Sequence, residues 1–239
     1  MRRNLQISDN KYSRGVVAIV AGSPRFPGAA ILAVGGARRG NAGYVKFASA
    51  NQKIRDLVVQ RFPDVVPIPN LKNERIDALV VGPGSARISQ LPKALPVILD
   101  SSAITLAKRP RAGVTVITPH EGELKYLGLE VGADRLETAI KLAKQFEVFV
   151  VLKGHKTVIA SPDGRTYLDK YGGPELATAG SGDVLAGLIG SFLVSVKDGA
   201  DPFKLVCDAV ELHSRAGNYA AKKFTSVTAV EIMESLANV

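Results

Sequence analysis

The sequence predicts one α/β domain of 239 residues built on a mostly parallel central sheet. Strand-like apolar runs alternate with amphipathic helical runs almost from end to end, and short connections join them. Hydrophobic residues make up 46% of the chain and charged residues 22%, which is typical of globular proteins. We find no linker, low-complexity segment or internal repeat that would divide the chain.

Seven apolar runs predict buried strands, and the runs between them have helical spacing. Pro27 suits the first turn of the first helix, and Asn51 suits the cap of the second. The predicted strands are residues 16–21, 43–48, 65–68, 77–81, 97–100, 114–118 and 148–153. The predicted helices are residues 27–39, 51–62, 88–95, 104–108, 120–127 and 135–145.

The pattern changes in the last third of the chain. Residues 157–160 and 166–170 predict a short hairpin, which turns on the Ser-Pro-Asp-Gly sequence at residues 161–164. Three helices are then predicted near residues 183–197, 202–223 and 227–237.

Cysteine usage and targeting signals indicate a cytoplasmic protein without a membrane partner. Cys207 is the single cysteine, and the apolar helical pattern around it predicts a core position. Polar residues follow Met1-Arg2-Arg3, so no apolar signal-peptide core is present. The apolar stretch 184–196 is too short and too interrupted to span a bilayer. The absence of a Cys/His cluster disfavours a structural zinc site.

The net charge of +9 is concentrated in the first quarter of the chain. Residues 1–61 carry 11 Lys and Arg side chains against Asp9 and Asp56, whereas the remainder carries 20 basic and 20 acidic side chains. Such asymmetry indicates a polyanionic partner, either a nucleic acid or a phosphorylated small molecule. A solvated basic face without any ligand would give the same pattern.

The most informative segment is residues 177–187, Ala-Thr-Ala-Gly-Ser-Gly-Asp-Val-Leu-Ala-Gly. A turn of small residues, Ala179, Gly180, Ser181 and Gly182, precedes a helix whose first amides lack intrahelical partners. An anion can approach those amides closely and is favoured by the helix dipole. Asp183 adds a carboxylate that could accept a proton during phosphoryl transfer to a hydroxyl. The alternative is that Ser181 or Asp183 simply caps the helix.

Polar and glycine residues follow several predicted strands at the point where each strand ends. Because ligands of parallel sheets bind outside the carboxyl ends of the strands, we expect these residues to line one cleft. They are Gly22-Ser23, Gly82-Pro83-Gly84, Asp100, Thr118-Pro119-His120 and Lys153-Gly154-His155.

Motifs along residues 15–225 resemble the NAD(P)H-hydrate dehydratase branch of the ribokinase-like superfamily. The most specific pair is TPHxGE at residues 118–123 with GxGDVLAG at residues 180–187. Two further motifs match with one departure each: GSxxYxGA at residues 22–29 has Phe26 near the aromatic position, and GPGxG at residues 82–86 has Ala86 in place of the second glycine. The others are KGxxT at residues 153–157, the longer ATxGxGDVLAG at residues 177–187 and LHxxAG at residues 212–217.

Two segments depart from the pattern of that family. Its DADAL segment is Asp-Ser-Ser-Ala-Ile here, so Asp100 is kept while Ser102 replaces the second carboxylate. Its NPG segment is Gly-Pro-Glu here, and Glu175 adds charge near the predicted anion site. No epimerase domain of the kind often fused to this family is found, so epimerisation is expected to need a separate protein.

The resemblance implies a three-layer α/β/α ribokinase-like fold and the repair of hydrated NADH or NADPH. ADP or ATP, with Mg²⁺, would phosphorylate the ring hydroxyl, and loss of phosphate would restore the nicotinamide. Asp183 would be the catalytic base, and the amides of Ala179, Gly180, Ser181 and Gly182 would hold the phosphoryl group. The nucleotide would contact Lys153, Gly154, His155, Lys156, Thr157 and Gly182, and the hydrate would contact Ala29, Gly84, His120 and Asp183.

Other functions stay open on the sequence. A vitamin-precursor or sugar kinase of the same superfamily would keep Asp183 and the anion site without needing TPHxGE. A nucleic-acid-binding protein could use the basic first quarter, although no nucleic acid is expected because no recognition motif accompanies it. A Rossmann dehydrogenase is disfavoured because residues 22–28 lack GxGxxG. We expect a homo-oligomer; the choice between ADP and ATP, and between the two hydrates, stays open.

Overall fold

The computed structural model describes residues 2–132 and 134–239. Its strands are β1 Val16–Val20, β2 Tyr44–Ala48, β3 Val66–Ile68, β4 Ala78–Val81, β5 Val97–Leu99, β6 Thr115–Ile117, β7 Phe149–Leu152, β8 Val158–Ala160 and β9 Thr166–Leu168. Its α-helices are α1 Gly28–Ala37, α2 Gln52–Arg61, α3 Arg135–Phe146, α4 Ser181–Leu193, α5 Pro202–Lys223 and α6 Ala229–Ser235. Short 3-10 helices cover Pro83–Ser85, Ser101–Lys108, Glu121–Leu127, Pro174–Leu176, Val194–Asp198 and Leu236–Asn238.

The strands of the described residues form one nine-stranded sheet in the order β3-β2-β1-β4-β5-β6-β7-β8-β9. Pairing is parallel from β3 to β7, and β8 and β9 add an antiparallel hairpin at one edge. The predicted α/β fold with a mostly parallel sheet is therefore confirmed. Because β1 and β4 to β7 all point the same way, the loops after them meet along one edge of the sheet.

Both faces of the sheet are covered, which produces three layers. Successive residues of a strand face opposite sides, so Val80 joins one apolar cluster and Val81 the other. Helices α1, α2, α4, α5 and α6 contribute to the first cluster. Helix α3 and the 3-10 helices Ser101–Lys108 and Glu121–Leu127 contribute to the second.

Glycines let α4 lie in backbone contact with α1 over the middle of the sheet. A Cβ at Gly187 would stand 1.8 Å from the Ala33 carbonyl oxygen, and one at Gly36 would stand 2.1 Å from that of Val184. On the sheet side of α4, a Cβ at Gly190 would stand 2.3 Å from Val80 Cγ2. Any side chain at these positions would push α4 away. This packing fixes where the N-terminus of α4 meets the strand ends.

One predicted helix is wrong, and several others differ in type or extent. Residues 88–95 form bends instead of a helix. The guanidinium of Arg111 donates to the carbonyls of Pro92 and Leu95 and so ties this segment to β6, while Pro92 removes a helical donor. Predicted helices 104–108 and 120–127 are 3-10 helices that begin at Ser101 and Glu121.

The predicted helix 183–197 begins at Ser181, two residues earlier, and ends as an α-helix at Leu193 before a 3-10 turn. The last predicted helix begins at Ala229, because the Thr228 side chain caps it. Cys207 on α5 is partly buried against the apolar cluster, less fully than its pattern predicts. None of the helices within residues 2–132 and 134–239 has both the length and the apolar character needed to cross a bilayer.

Candidate active site

A cleft of about 1070 Å³ opens at the carboxyl ends of the parallel strands. The N-terminus of α4 forms its floor, and loops after β1, β4, β5, β6 and β7 form its walls. Its lining includes Arg25, Phe26, Ala29, Gly84, Ser85, Asp100, Ser101, His120, Glu123, Lys153, Gly154, His155, Thr157, Ala179, Gly180, Ser181, Gly182, Asp183 and His213. Segments far apart in the chain thus meet where the sequence places a ligand site.

The turn before α4 brings amide donors to the cleft. Gly180 caps the helix with φ +92°, in the left-handed region that favours glycine. The Ser181 amide donates to the Thr178 carbonyl at 3.3 Å, whereas the amides of Gly182 and Asp183 have no carbonyl acceptor among the described residues. Free amides at a helix start are suited to an anion.

Lys153 directs its ammonium group into the same corner of the cleft. Its Nζ lies 2.9 Å from Asp100 Oδ1 and 3.6 Å from Glu123 Oε2. A Cβ at Gly182 would stand 3.1 Å from that nitrogen, so the ammonium group lies against the start of α4. Burial alone would lower the pKa of Lys153, but the charges of Asp100 and Glu123 outweigh burial and raise this pKa. Lys153 is therefore a permanent cation beside the free amides.

Asp183 is a carboxyl group with a neutral-range pKa. Burial in the first turn of α4 is the largest cause, and the negative charge of Asp100 adds to it, so the pKa rises to about 7. The charge of Lys153 opposes this rise, and the charge of Glu123 adds to it. A carboxyl group with a pKa near the working pH is suited to exchange protons.

The strand ends hold these groups in register. The Thr118 hydroxyl donates to Asp100 Oδ1 at 2.6 Å and so joins the ends of β6 and β5. The Lys153 amide donates to the Pro119 carbonyl at 2.8 Å, and a parallel bridge pairs His120 with Lys153. Beyond β6, the His120 amide donates to Glu123 Oε2 at 2.9 Å, as in a helix capping box.

His213 lies beneath the anion turn. Its Nε2 is 3.3 Å from the Ser181 hydroxyl, and both side chains are buried. Burial is the main cause that lowers the pKa of His213 to about 4, so the imidazole is neutral at pH 7. Neutral His213 ties α5 to the first residue of α4 without adding charge to the site.

Glycines also form the opposite wall of the cleft. Gly82 and Gly84 have φ values of +122° and +66°. A Cβ at Gly84 would stand 2.6 Å from Ala29 Cβ, so the turn after β4 contacts the start of α1. The Gly22 amide closes this wall by donating to the Pro83 carbonyl at 2.8 Å.

Of the residues predicted to hold the nucleotide, the hydrate or the phosphoryl group, all but Lys156 line the cleft. Of the strand-end residues expected to line it, Gly84, Asp100, His120, Lys153, Gly154 and His155 do so, whereas Gly22, Ser23, Gly82, Pro83, Thr118 and Pro119 lie outside the lining. Lys156 is exposed, and its carbonyl accepts a hydrogen bond from Arg135 Nη1 at 2.7 Å. Neither Ser102 nor Glu175, the two departures from the family pattern, lines the cleft. Ser102 Oγ and Glu175 Oε1 are both buried without a hydrogen-bond partner.

Sequence reasoning gave no role to Glu123 or His213, although both lie inside quoted motifs. Glu123 is the last residue of TPHxGE and contacts Lys153. Its position three residues after His120, at the end of a strand, is typical of a capping-box carboxylate, and this spacing is the signal in the sequence that could have identified it. His213 is predicted to be helical, but only the packing of α5 under α4 shows that it reaches Ser181. No local pattern in the sequence contains that contact.

The fold defines the class of protein: an α/β protein of the ribokinase-like superfamily, with a turn of small residues at the start of α4 that opens into the cleft. A solved ribokinase-like superfamily protein from Enterococcus faecalis matches 98% of this chain and 89% of its own, with a TM-score of 0.85 and 25% identity. A solved hydroxyethylthiazole kinase from Pyrococcus horikoshii shares the fold, with a TM-score of 0.62 and 16% identity.

The chain belongs to the NAD(P)H-hydrate dehydratase family, whose sequence model matches residues 17–238. A solved ADP/ATP-dependent NAD(P)H-hydrate dehydratase from Bacillus subtilis, co-crystallised with ATP/Mg²⁺, is 30% identical with a TM-score of 0.85. That match covers 98% of this chain and 92% of the Bacillus chain.

Curated relatives give the same family. The bifunctional NAD(P)H-hydrate repair enzyme Nnr of Gloeobacter violaceus is 35% identical over 90% of this chain and 47% of its own length. Its namesake in Mycobacterium tuberculosis is 40% identical over 78% of this chain and 42% of its own length. The chain spans about half the length of the curated relatives that it matches.

Proposed function

We propose that this protein dehydrates hydrated NADH or NADPH in a reaction driven by ADP or ATP. The observation that carries the proposal is the Asp183 carboxyl, whose pKa is about 7, at the amide-lined start of α4. Family membership supplies the substrate class, and the Bacillus relative supplies the nucleotide and Mg²⁺. Residues 1–239 would act as one dehydratase domain.

In the first step, the oxygen of the ring hydroxyl would attack the terminal phosphorus of the nucleotide, and Asp183 would accept the hydroxyl proton. The bond from that phosphorus to the leaving nucleoside phosphate, AMP from ADP or ADP from ATP, breaks as the new bond to the ring oxygen forms. The free amides of Gly182 and Asp183 and the Lys153 ammonium face the place where negative charge develops. Ala179, Gly180 and Ser181 shape that turn, and the Ser181 amide is already engaged by Thr178.

The remaining lining residues divide by wall. Gly154, His155 and Thr157 follow β7 next to Lys153 and would receive the nucleotide. Ala29, Gly84 and His120 lie on the walls after β1, β4 and β6 and would receive the hydrate. Lys156 is exposed and outside the cleft lining, so it would act through its backbone carbonyl, which accepts a hydrogen bond from Arg135.

The residues present suit a Mg²⁺ ion that arrives with the nucleotide. No group of three or more His, Cys, Asp or Glu side chains within residues 2–132 and 134–239 is arranged to hold a metal. Asp100 and Glu123 are occupied by Lys153, which leaves Asp183 as the carboxylate nearest the anion turn. Mg²⁺ commonly uses one or two carboxylates, substrate phosphates and waters. Such an ion would neutralise phosphate charge.

Cellular context follows from the same proposal. We infer a cytoplasmic enzyme, because the partly buried Cys207 suits a reducing compartment. We also propose that the protein forms a homo-oligomer.

The test is to incubate the protein with hydrated NADPH or NADH, Mg²⁺ and either nucleotide, and to follow the absorbance of the reduced nicotinamide. We expect this absorbance to appear only when nucleotide is present. Nucleotide consumption with a vitamin precursor or a sugar, and none with the hydrates, would instead identify a small-molecule kinase.

A further inference from the structure

Dehydration of a hydrate releases two protons from two different atoms, an argument that rests on the function proposed above. One proton leaves the hydroxyl when the ring oxygen is phosphorylated. The second leaves the neighbouring ring carbon in the elimination. There the C–O bond breaks and its electron pair departs with the phosphate, while the C–H electron pair becomes the new ring double bond. A group is therefore needed to accept a proton from carbon.

Most proton acceptors in the cleft are already engaged. Asp183 faces the hydroxyl and has taken the first proton. Asp100 and Glu123 neutralise Lys153, and His213 is buried against Ser181. The imidazoles that remain in the cleft lining are His120 and His155. Of these two imidazoles, only that of His120 lies near a carboxylate among the described residues.

His120 has the geometry of an oriented base. Its side chain is 60% exposed in the cleft, with Nε2 3.7 Å from Glu123 Oε2. Gly122 lets the ring lie against the backbone, since a Cβ there would stand 3.1 Å from Cε1. Nε2 lies beyond hydrogen-bond distance of the carboxylate and is the ring nitrogen open to accept a proton, whereas Nδ1 lies against the backbone, 3.3 Å from where a Cβ of Gly122 would stand. An imidazolium formed in this way would gain an ion pair with Glu123.

His120 also lies one strand end from the place of phosphoryl transfer. It is bridged to Lys153, the residue whose ammonium lies against Gly182. Glu123 touches that same ammonium at 3.6 Å, and its charge contributes to the raised pKa of Asp183. Asp183 and His120 therefore border the same corner of the cleft from two sides, which is the arrangement that a base for each of the two protons requires.

We propose that His120, oriented by the Glu123 carboxylate, is the base that takes the proton from the ring carbon when phosphate leaves. His120 is thus a catalytic residue of the elimination, and Glu123 is its positioning residue. Because His120 also lines the wall for the hydrate, its loss would raise the KM for hydrate in the first step but would leave the base of that step, Asp183, in place.

The experiment measures nucleotide cleavage and reduced-nicotinamide formation in the same reaction, for the wild-type chain and for His120→Ala. We expect the variant to cleave nucleotide and to accumulate phosphorylated hydrate, visible by ³¹P NMR. Reduced nicotinamide should form about 10²-fold more slowly or worse, the range for loss of a general base. Added imidazole should restore its formation. His120→Gln, which keeps a polar side chain of similar length, should behave alike without rescue.

His155→Ala is the matched control, because it removes the other exposed imidazole from the same cleft. His155→Ala should lower nucleotide cleavage and reduced-nicotinamide formation by the same factor. Phosphorylated hydrate should not accumulate, and imidazole should not restore activity. Equal loss of both signals in His120→Ala, no loss of either, or failure of imidazole to rescue would overturn the assignment. If the wild-type chain itself forms no reduced nicotinamide, the proposed function fails; if it does and His120→Ala matches it, only the role of His120 fails.

Discussion

Neighbouring groups have opposing effects on the pKa of the Asp183 carboxyl, so both of its protonation states are accessible near pH 7. Burial and the charge of Asp100 favour the neutral acid, whereas Lys153 favours the carboxylate. Replacement by Asn keeps the size of the side chain and removes the proton acceptor. We expect Asp183→Asn to keep its thermal unfolding midpoint and to lose about 10²-fold or more in turnover. Near-normal turnover in a steady-state assay would show that Asp183 serves only as an acidic residue in the first turn of the helix.

The same carboxyl predicts the pH dependence of the reaction. Its pKa is about 7, so below pH 7 most Asp183 is protonated and cannot accept a proton. The raised pKa of Lys153 keeps that cation charged across the range. We therefore expect kcat/KM to rise as pH increases through 7 and then to level off. A profile that falls over this interval would mean that the neutral acid is the active form.

The strand-end loops are the elements that carry the site, and Arg135 at the start of α3 fixes one of them. Its guanidinium donates to the carbonyls of Lys153 at 3.1 Å and Lys156 at 2.7 Å. Arg135→Ala should free the segment 153–156. We expect a several-fold higher KM for nucleotide and a nearly unchanged KM for hydrate.

Lys141 on the same helix gives the control for that variant. Its side chain is 72% exposed and pairs only with Glu137 among the described residues. Lys141→Ala should leave both KM values unchanged, because an exposed pair of this kind contributes little. If the Arg135→Ala variant has the same KM for nucleotide as the wild-type protein, the segment 153–156 holds its conformation without the guanidinium.

Elements with regular apolar spacing could be predicted from the sequence, and those held by side-chain contacts could not. Strands β1 to β7 and helices α1, α2, α3 and α5 all lie within two residues of their predicted bounds. Residues 88–95 failed because Arg111, distant in sequence, binds their carbonyls. The site behaves likewise: the glycine turn and Asp183 are local signals, whereas the contacts of Lys153 with Glu123 and of His213 with Ser181 arise from packing.

Across the whole molecule, four of the eleven basic side chains of the first quarter form ion pairs among the described residues, and Arg38 with Asp64 is one of these pairs. Arg3 pairs with Asp9 and Asp198, Lys46 with Glu74 and Arg61 with Glu234. These contacts account for basic side chains that the sequence left without partners. They support a structural use for these four side chains.

Arg25 differs from those residues because it lines the cleft, with its guanidinium 5.2 Å from the centre of the Phe26 ring. We expect Arg25→Ala to weaken binding of the hydrated dinucleotide by about tenfold, the loss of one phosphate contact. Arg38 and Arg39 lie at the other end of α1, beside Arg61 and Phe62. Replacing both by Ala should leave that affinity unchanged in a titration, and the reverse ordering would contradict this placement.

The central claim is that phosphoryl transfer at Asp183 drives dehydration of the nicotinamide hydrate. The most direct test is to count nucleotide cleaved and reduced nicotinamide formed by the wild-type protein in one reaction. We predict one nucleotide cleaved for each reduced nicotinamide, and loss of both products in Asp183→Asn. Reduced nicotinamide formed without nucleotide cleavage, or in equal yield from Asp183→Asn, would contradict the account.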